Sequence, residues 1–299
     1  MKELYPFLSL GRLCRLFGKT RQAYYDYSWR DSDHQLQEAV IIDLVRSIRT
    51  VLPKAGGHTL LFMLKEDFAK HNIFLGRDSF FRLLKKYDLL VKRRRRYVRT
   101  TNSDHPYKKW PDLVKGMEVT RAEQLWVSDI TYLTTKNGFI YLSLITDAYS
   151  HKIVGYHLSQ NLKASGCIIA LNKAISSLSP EASLIHHSDR GIQYCCDAYI
   201  QILQKHRISI SMTQSGSPYD NAIAERSNGI LKGELGLKQT FASYHDAVSK
   251  VHSAIDAYNR VRPHMSCSRL TPEQAHNWPE PLQKLWKPKR YRKAKSVSL

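Results

Sequence analysis

The chain has 299 residues, 42% of them hydrophobic, which is enough for one large domain or two to three smaller ones with buried cores. The chain has 46 lysine and arginine residues against 26 aspartate and glutamate residues, a net charge of +20. This charge favours binding to a polyanion such as nucleic acid over binding to a membrane surface. The alternative is a basic protein that is merely soluble. No apolar run approaches a membrane span, the start of the chain has no signal-peptide core, and the five cysteines form no C-x-x-C pair, so we expect a protein of the reducing cytoplasm without membrane, zinc or disulfide framework.

The first 32 residues predict a pair of short helices. An apolar repeat at helical spacing gives a helix that Gly18 can end, and Thr20 can cap a second one. This order is that of a helix-turn-helix, although a plain helical hairpin has the same signature. In the helix-turn-helix interpretation, Arg21 and Gln22 lie in the first turn of the second helix, where DNA base edges are reached. We therefore predict a helix-turn-helix-like segment over residues 1–32.

Residues 33–99 predict a second small helical domain that binds DNA. Three apolar stripes at helical spacing are separated by proline and glycine, and a basic run closes the segment. The run contains Arg93, Arg94, Arg95 and Arg96. Such a run is either a solvated linker or a contact with phosphates, and its place between two folded parts of a basic protein favours phosphates. Residues 100–122 are polar, show little periodicity and are predicted to be a linker.

From residue 123 the sequence changes to an α/β pattern. The first three predicted strands follow one another closely and suit an antiparallel meander, after which helices and strands alternate. The predicted strands are 125–133, 139–145, 153–158, 183–187 and 208–212. This order is that of a ribonuclease-H-like catalytic core, a mixed five-stranded sheet with helices. We predict this core with C-terminal helices over residues 123–280 and a basic tail over 281–299.

Three acids stand out within the predicted core. Asp129 lies mid-strand among apolar residues, where a carboxylate needs a partner or a metal ion. Asp189 ends a strand, and Glu225 begins a helix after 35 intervening residues. Each alone is more often a surface or capping residue. Together, on two strands and a helix, they suit a site that binds two Mg²⁺ ions for phosphoryl transfer.

Other polar residues near these acids are candidate DNA contacts. Glu225 and Lys232 share a helix face that is separate from the apolar arc, so Lys232 can reach a phosphate while Glu225 points into the site. Arg260, Arg262 and His264 follow a long predicted helix. They either contact phosphates or cap the end of that helix, and we favour DNA only slightly.

Several motifs in this core are specific to one family. They are WVSDITY at 126–132, GFIYL at 138–142, KIVG at 152–155, HSDRGIQY at 187–194, DNAIAE at 220–225, YNR at 258–260 and RPH at 262–264. The chain resembles bacterial insertion-sequence transposases of the open-reading-frame-B kind, in the group named after insertion sequence three, which are related to retroviral integrases. Three features depart from the family pattern. His151 follows Ser150 where the family often has arginine, and Arg226 with two polar residues follows Glu225 where many relatives have aromatic residues. The zinc-binding His/Cys module of retroviral integrases is also absent from the sequence.

The resemblance implies that Asp129, Asp189 and Glu225 are catalytic and bind Mg²⁺, with Mn²⁺ as a substitute. The implied activity of this enzyme is nicking of insertion-element ends and joining of their 3′-hydroxyls to DNA, with no covalent enzyme intermediate. Implied partners are the inverted repeats, target DNA, further copies of the chain on DNA, and a separate helix-turn-helix subunit or a fused frameshift product. The implied location is the bacterial cytoplasm, at the nucleoid. The alternatives are a nuclease on the same fold and a DNA-binding regulator with an unused catalytic fold.

Overall fold

The structure, a computed structural model, describes residues 7–91, 105–179, 183–214, 222–283 and 285, except for the side chains of residues 30–33. These residues fall into two compact units, one within Met1–Val51 and Ala55–Lys92, the other within Leu52–Lys54 and Arg93–Leu299. The predicted basic run at residues 93–96 and most of the predicted basic tail lie outside the described residues. Within the described ranges, no helix is both long and apolar enough to cross a membrane.

The first unit is helical. Its helices are α1 (Leu10–Leu16), α2 (Arg21–Val51), α3 (Gly57–Met63), α4 (Lys65–Lys70) and α5 (Arg77–Lys86). Gly18 has a φ of 63° and follows the end of α1, where its N–H and that of Lys19 bond to the last free carbonyls of the helix. The hydroxyl of Thr20 accepts a 3.0 Å hydrogen bond from the N–H of Ala23 and caps α2. Both ends are those that the sequence predicts.

Helix α2 differs from the prediction in length. It runs without a break through the boundary predicted between residues 32 and 33 and continues to Val51. The physical reason is that residues 21–51 contain neither glycine nor proline, so no residue in the segment forces the backbone out of the helix. The two predicted helical segments therefore share one helix.

The second unit is built on a mixed sheet. Its strands are β1 (Leu125–Thr135), β2 (Gly138–Asp147), β3 (Ile153–Ser159), β4 (Ile185–Ser188), β5 (Ser209–Met212) and β6 (Thr240–Phe241). The order is β3-β2-β1-β4-β5, antiparallel in the meander and parallel from β1 to β5. The five predicted strands are confirmed. The sixth, β6, pairs with the end of β1 and was missed because two residues show no periodicity.

Helices surround this sheet in the second unit. They are α6 (Ala164–Ile175), α7 (Ile192–Cys195), α8 (Asp197–Lys205), α9 (Ala222–Gly233), α10 (Tyr244–Arg260) and α11 (Pro272–His276). The main apolar cluster joins Trp126 of β1 to residues of α6 and α8, including Leu171 and Tyr199. A side chain at Gly155 of β3 would collide with the backbone of α6, so glycine permits the close approach of that helix.

Residues 105–122 pack on the second unit instead of forming the plain linker that we predicted. The carbonyl of Pro111 accepts a 3.2 Å hydrogen bond from the N–H of Met212, and the N–H of Leu113 donates to the Ser211 hydroxyl at 2.9 Å. Both partners belong to β5, which is an edge strand of the sheet. The segment thereby covers backbone and side-chain groups that an edge strand leaves unpaired.

Candidate active site

The sheet register brings Asp129 and Asp189 to one level. Strands β1 and β4 pair in parallel, with Val127 opposite His187. Continuing this register by two residues sets Asp189, the first residue after β4, beside Asp129. Side chains two residues apart share a face of a strand, so Asp129 lies on the face of β1 that carries Val127, and Asp189, one residue beyond β4, is near enough for its charge to act on it.

Electrostatic effects join Glu225 to this pair. Burial, together with the negative charge of Asp189, raises the pKa of Asp129 from 3.8 to about 7. The negative charge of Glu225 acts in the same direction, whereas a hydrogen bond from Asn228 opposes the rise. Glu225 lies on the first turn of α9, and its side chain is exposed. The partial loss of water around its carboxylate raises the pKa of Glu225. Asp129 is therefore close enough to both other predicted acids for their charges to raise its pKa.

Helix α9 carries two further side chains toward β1. The Nδ2 of Asn228 donates a 2.6 Å hydrogen bond to Oδ2 of Asp129. The Nζ of Lys232 lies 4.3 Å from the ring centroid of Tyr132 on β1. Burial lowers the pKa of Lys232, and the negative charge of Asp129 opposes that shift. Glu225, Asn228 and Lys232 are spaced i, i+3 and i+7, so they line one side of the helix.

Asn228 was not among the predicted site residues, although its position three residues after Glu225 is a signal that could have found it. In the sequence this position stands out only as one of the polar residues that depart from the family pattern. Its partner lies 99 residues earlier in the chain. A sequence alone does not show which polar group an amide meets across such a separation.

Whether these residues suit a divalent cation follows from their chemistry. Among the described residues, no three His, Cys, Asp or Glu side chains are grouped as a ready metal site. The donors present are carboxylates, the hard oxygen ligands that Mg²⁺ and Mn²⁺ take. The negative charges of Asp189 and Glu225 raise the pKa of Asp129, and a bound cation would reduce this repulsion between carboxylates. Beside it, the buried Oδ1 of Asn228 has no hydrogen-bond partner in the described part of the chain and suits a hydrated ion. The chemistry of these residues fits such an ion, and Glu225 is an exposed carboxylate on the helix that carries Asn228.

A buried network fixes the two strands that carry the aspartates. The Nε2 of His186 lies 2.6 Å from the Ser128 hydroxyl and 2.9 Å from the Tyr199 hydroxyl. Burial lowers the pKa of His186 to about 3, so the imidazole is neutral at physiological pH. Because His186 belongs to β4 and Ser128 to β1, their contact stabilises the register that sets Asp189 beside Asp129.

The predicted DNA contacts divide into exposed and buried side chains. Arg21 and Gln22 are exposed in the first turn of α2, as a base-reading role requires. Arg260 is exposed and pairs with Asp256 at 3.1 Å. Arg93, Arg94, Arg95 and Arg96 lie outside the described residues.

Arg262 and His264, which we predicted to contact phosphates or cap the end of a helix, are buried. Arg262 is buried and binds Glu234 through two hydrogen bonds of 2.8 and 3.0 Å. His264 is buried between the rings of His151 and Tyr258, at centroid distances of 5.7 and 4.9 Å. Burial, together with nearby positive charges, holds the pKa of His264 well below its usual range. Both side chains hold the fold because their polar groups turn inward.

The preceding residues of the same motif also hold the fold. The side-chain amide of Asn259 pairs with both the N–H and the C=O of Ile153 at 3.0 Å, as a neighbouring strand would. The hydroxyl of Tyr258 lies 3.1 Å from that of Ser227 on α9. Helix α10 thus ties β3 to the helix that carries Glu225.

Comparison with known proteins agrees with this architecture. The integrase core domain family matches residues 119–218, and a second integrase core domain family matches residues 206–272. The 31 kDa protein of insertion element IS600 from Shigella sonnei is 33% identical over 268 residues, covering 87% of this chain and 96% of that protein. Transposase InsF for insertion sequence IS3A from Escherichia coli strain K12 is 36% identical over 155 residues, 52% of this chain and 54% of that protein. Among solved structures, the magnesium complex of the HTLV-2 integrase catalytic core domain is 20% identical, with a TM-score of 0.43 over 52% of this chain and 97% of that one.

The fold and the two family matches define the class as proteins with an integrase catalytic core of the ribonuclease-H-like kind. Within that class, the chain belongs to the insertion-sequence transposases of the integrase superfamily. The predicted fold class and family are confirmed. Neither alternative, a stand-alone nuclease or a regulator, is favoured by any of these matches.

Proposed function

We propose that this transposase nicks the ends of an insertion element and joins the freed 3′-hydroxyls to DNA, with Asp129, Asp189 and Glu225 as its catalytic metal ligands. The observation that supports this assignment is the convergence of three negative charges. The parallel register of β1 and β4, continued two residues past its last pair, sets Asp189 beside Asp129, and both Asp189 and Glu225 raise the pKa of Asp129. Such a set of carboxylates is unfavourable by itself and favourable around divalent cations.

Each side chain has its own part in this proposal. Asp129 loses its proton as a cation binds, because its pKa of about 7 leaves it partly protonated at neutral pH. Asn228 orients the same carboxylate, and Lys232 lies where it can neutralise a DNA phosphate beside the acids. When bound, two Mg²⁺ or Mn²⁺ ions supply Lewis acidity for the attack of water, and later of a DNA 3′-hydroxyl, on a phosphodiester.

The partners follow from the reaction. Inverted repeats at the element ends and a target duplex are the substrates, and the net charge of +20 favours both. Two ends must be held together, so we propose that two or more copies act on DNA. A separate helix-turn-helix subunit or a fused frameshift product stays a prediction. The bacterial cytoplasm, at the nucleoid, is where this DNA is met.

The test uses the full chain with oligonucleotides that carry the imperfect inverted repeats flanking its gene. Wild type should nick and join in Mg²⁺, and Asp129→Asn, Asp189→Asn and Glu225→Gln should each reduce both steps at least about 100-fold. Glu118→Gln, which alters an exposed acid of the same unit, is the matched control. If Asp189→Asn left strand joining intact, the metal-ligand assignment would be wrong. Cleavage of RNA–DNA hybrids without joining would support the nuclease alternative.

A further inference from the structure

Residues 105–110 lie next to the Asp189 end of β4. The Nε2 of His105 is 2.8 Å from the carbonyl oxygen of Arg190, the residue that follows Asp189. At the other end of the segment, the carbonyl of Pro111 bonds to Met212 of β5. A free linker would have no such anchors, so the segment between them is held against the edge of the candidate site.

The side chains of this segment alternate aromatic rings with positive charge. Its sequence is His-Pro-Tyr-Lys-Lys-Trp, and it contains no acid. Tyr107, Lys108 and Lys109 are exposed. The Nζ of Lys108 lies 4.3 Å from the ring centroid of Trp110, and the rings of His105 and Tyr107 lie 5.7 Å apart. Lysines that track phosphates, beside rings on which bases stack, are the composition of nucleic-acid strand-binding surfaces.

Electrostatic effects on one thiol relate this segment to the acids. Burial, together with the negative charge of Asp189, raises the pKa of Cys195 on α7 to about 11. The positive charges of Lys109 and Arg190 oppose that rise. Lys109 is therefore near enough to Cys195 for its charge to act on the thiol, as the charge of Asp189 does.

We propose that Tyr107, Lys108 and Lys109 form a DNA-contact surface that holds the strand next to the phosphodiester that reacts at Asp189. This inference rests on the proposed function, because it names where that function's substrate lies. The two lysines bind phosphates, and the ring of Tyr107 packs on a sugar or an unpaired base of the same strand. The anchors at residues 105 and 111 keep these groups in place before DNA binds.

The first experiment measures how binding of element-end DNA depends on salt. If both lysines contact phosphates, Lys108→Ala with Lys109→Ala should reduce the slope of log affinity against log salt by about 1.8. The matched control is Lys115→Ala with Lys136→Ala, which removes two exposed charges elsewhere in the same unit and should leave the slope unchanged. If the double variant unfolds, the single variants Lys109→Ala and Lys115→Ala are compared instead. Their salt slopes should differ by about 0.9. Equal slopes for variant and control would overturn the inference.

The second experiment maps the contact. Tyr107 is replaced by p-benzoylphenylalanine, and crosslinking to end-labelled DNA is performed without divalent metal, so that no chemistry is needed. Crosslinks should fall within a few nucleotides of the cleaved phosphodiester. Crosslinks scattered along the duplex, or none, would refute the surface. If wild type failed to nick in Mg²⁺ while crosslinks still mapped to the element end, the proposed function would fail and the contact surface would stand.

Discussion

Asn228 and Asp129 are joined by a 2.6 Å hydrogen bond from Nδ2 of the amide to Oδ2 of the carboxylate. Asn228 is buried on α9, three residues after Glu225. One helix therefore carries both the exposed acid and the side chain that orients the acid on β1. Any rotation or displacement of α9 acts on two of the three carboxylates together.

Asn228→Ala should raise the pKa of Asp129 above its value of about 7, since the hydrogen bond lowers that pKa. A hydrogen bond to a charged group corresponds to about one pH unit or more. In a pH profile of nicking, the rising limb should move up by roughly that amount while DNA affinity stays constant. Gln201→Ala, an exposed amide on α8, should leave the profile in place. An unmoved profile in Asn228→Ala would show that the amide only supports packing.

Asp129→Asn should stabilise the metal-free protein at high pH. The pKa of Asp129 is raised from 3.8 to about 7 in the folded state, so the folded chain keeps a proton that the unfolded chain releases between these values. Stability from this group is complete below about pH 4 and is lost as pH rises to 7, by roughly 4 kcal/mol. Urea unfolding of wild type and variant at pH 4.5 and pH 8 should show a difference in favour of the variant that grows with pH. A difference that is the same at both values would contradict the raised pKa.

Lys232→Ala should weaken DNA binding and reduce its salt slope by about 0.9, the amount expected for one phosphate contact. The reason is that Lys232 holds its positive charge over Tyr132, close enough to Asp129 for their charges to interact. Lys232→Arg keeps the charge and should retain most of the slope. Lys250→Ala, an exposed lysine on α10, is the control. A full slope in Lys232→Ala would place the phosphate elsewhere.

Arg262→Ala should destabilise the second unit by about 3 kcal/mol, because it removes the arginine of a largely buried ion pair and leaves the carboxylate of Glu234 without its cation. Arg260→Ala is the matched comparison, since its pair with Asp256 is exposed and its loss should barely change the free energy of unfolding. Chemical denaturation of both variants distinguishes them. A stable Arg262→Ala protein with weaker DNA binding would restore the phosphate contact that the sequence suggested.

Local patterns account for most of the fold. Short runs rich in β-branched, aromatic and other apolar residues predicted the five main strands, Gly18 and Thr20 predicted the ends of two helices, and helical periodicity separated Glu225 and Lys232 from the apolar arc of α9. These properties arise from neighbours a few residues apart, whose geometry is set by the periods of strand and helix.

What the sequence by itself determined is therefore the order of elements and the identity of the three acids within it. Only the tertiary structure decided that Asn228 binds Asp129, that Arg262 and His264 turn inward, and that residues 111–113 bond to β5. Each of these is a contact between side chains or backbone groups distant in the chain, and no local period specifies which partner a polar group meets. The register of β1 on β4 is of the same kind, and it is this register that sets Asp189 beside Asp129.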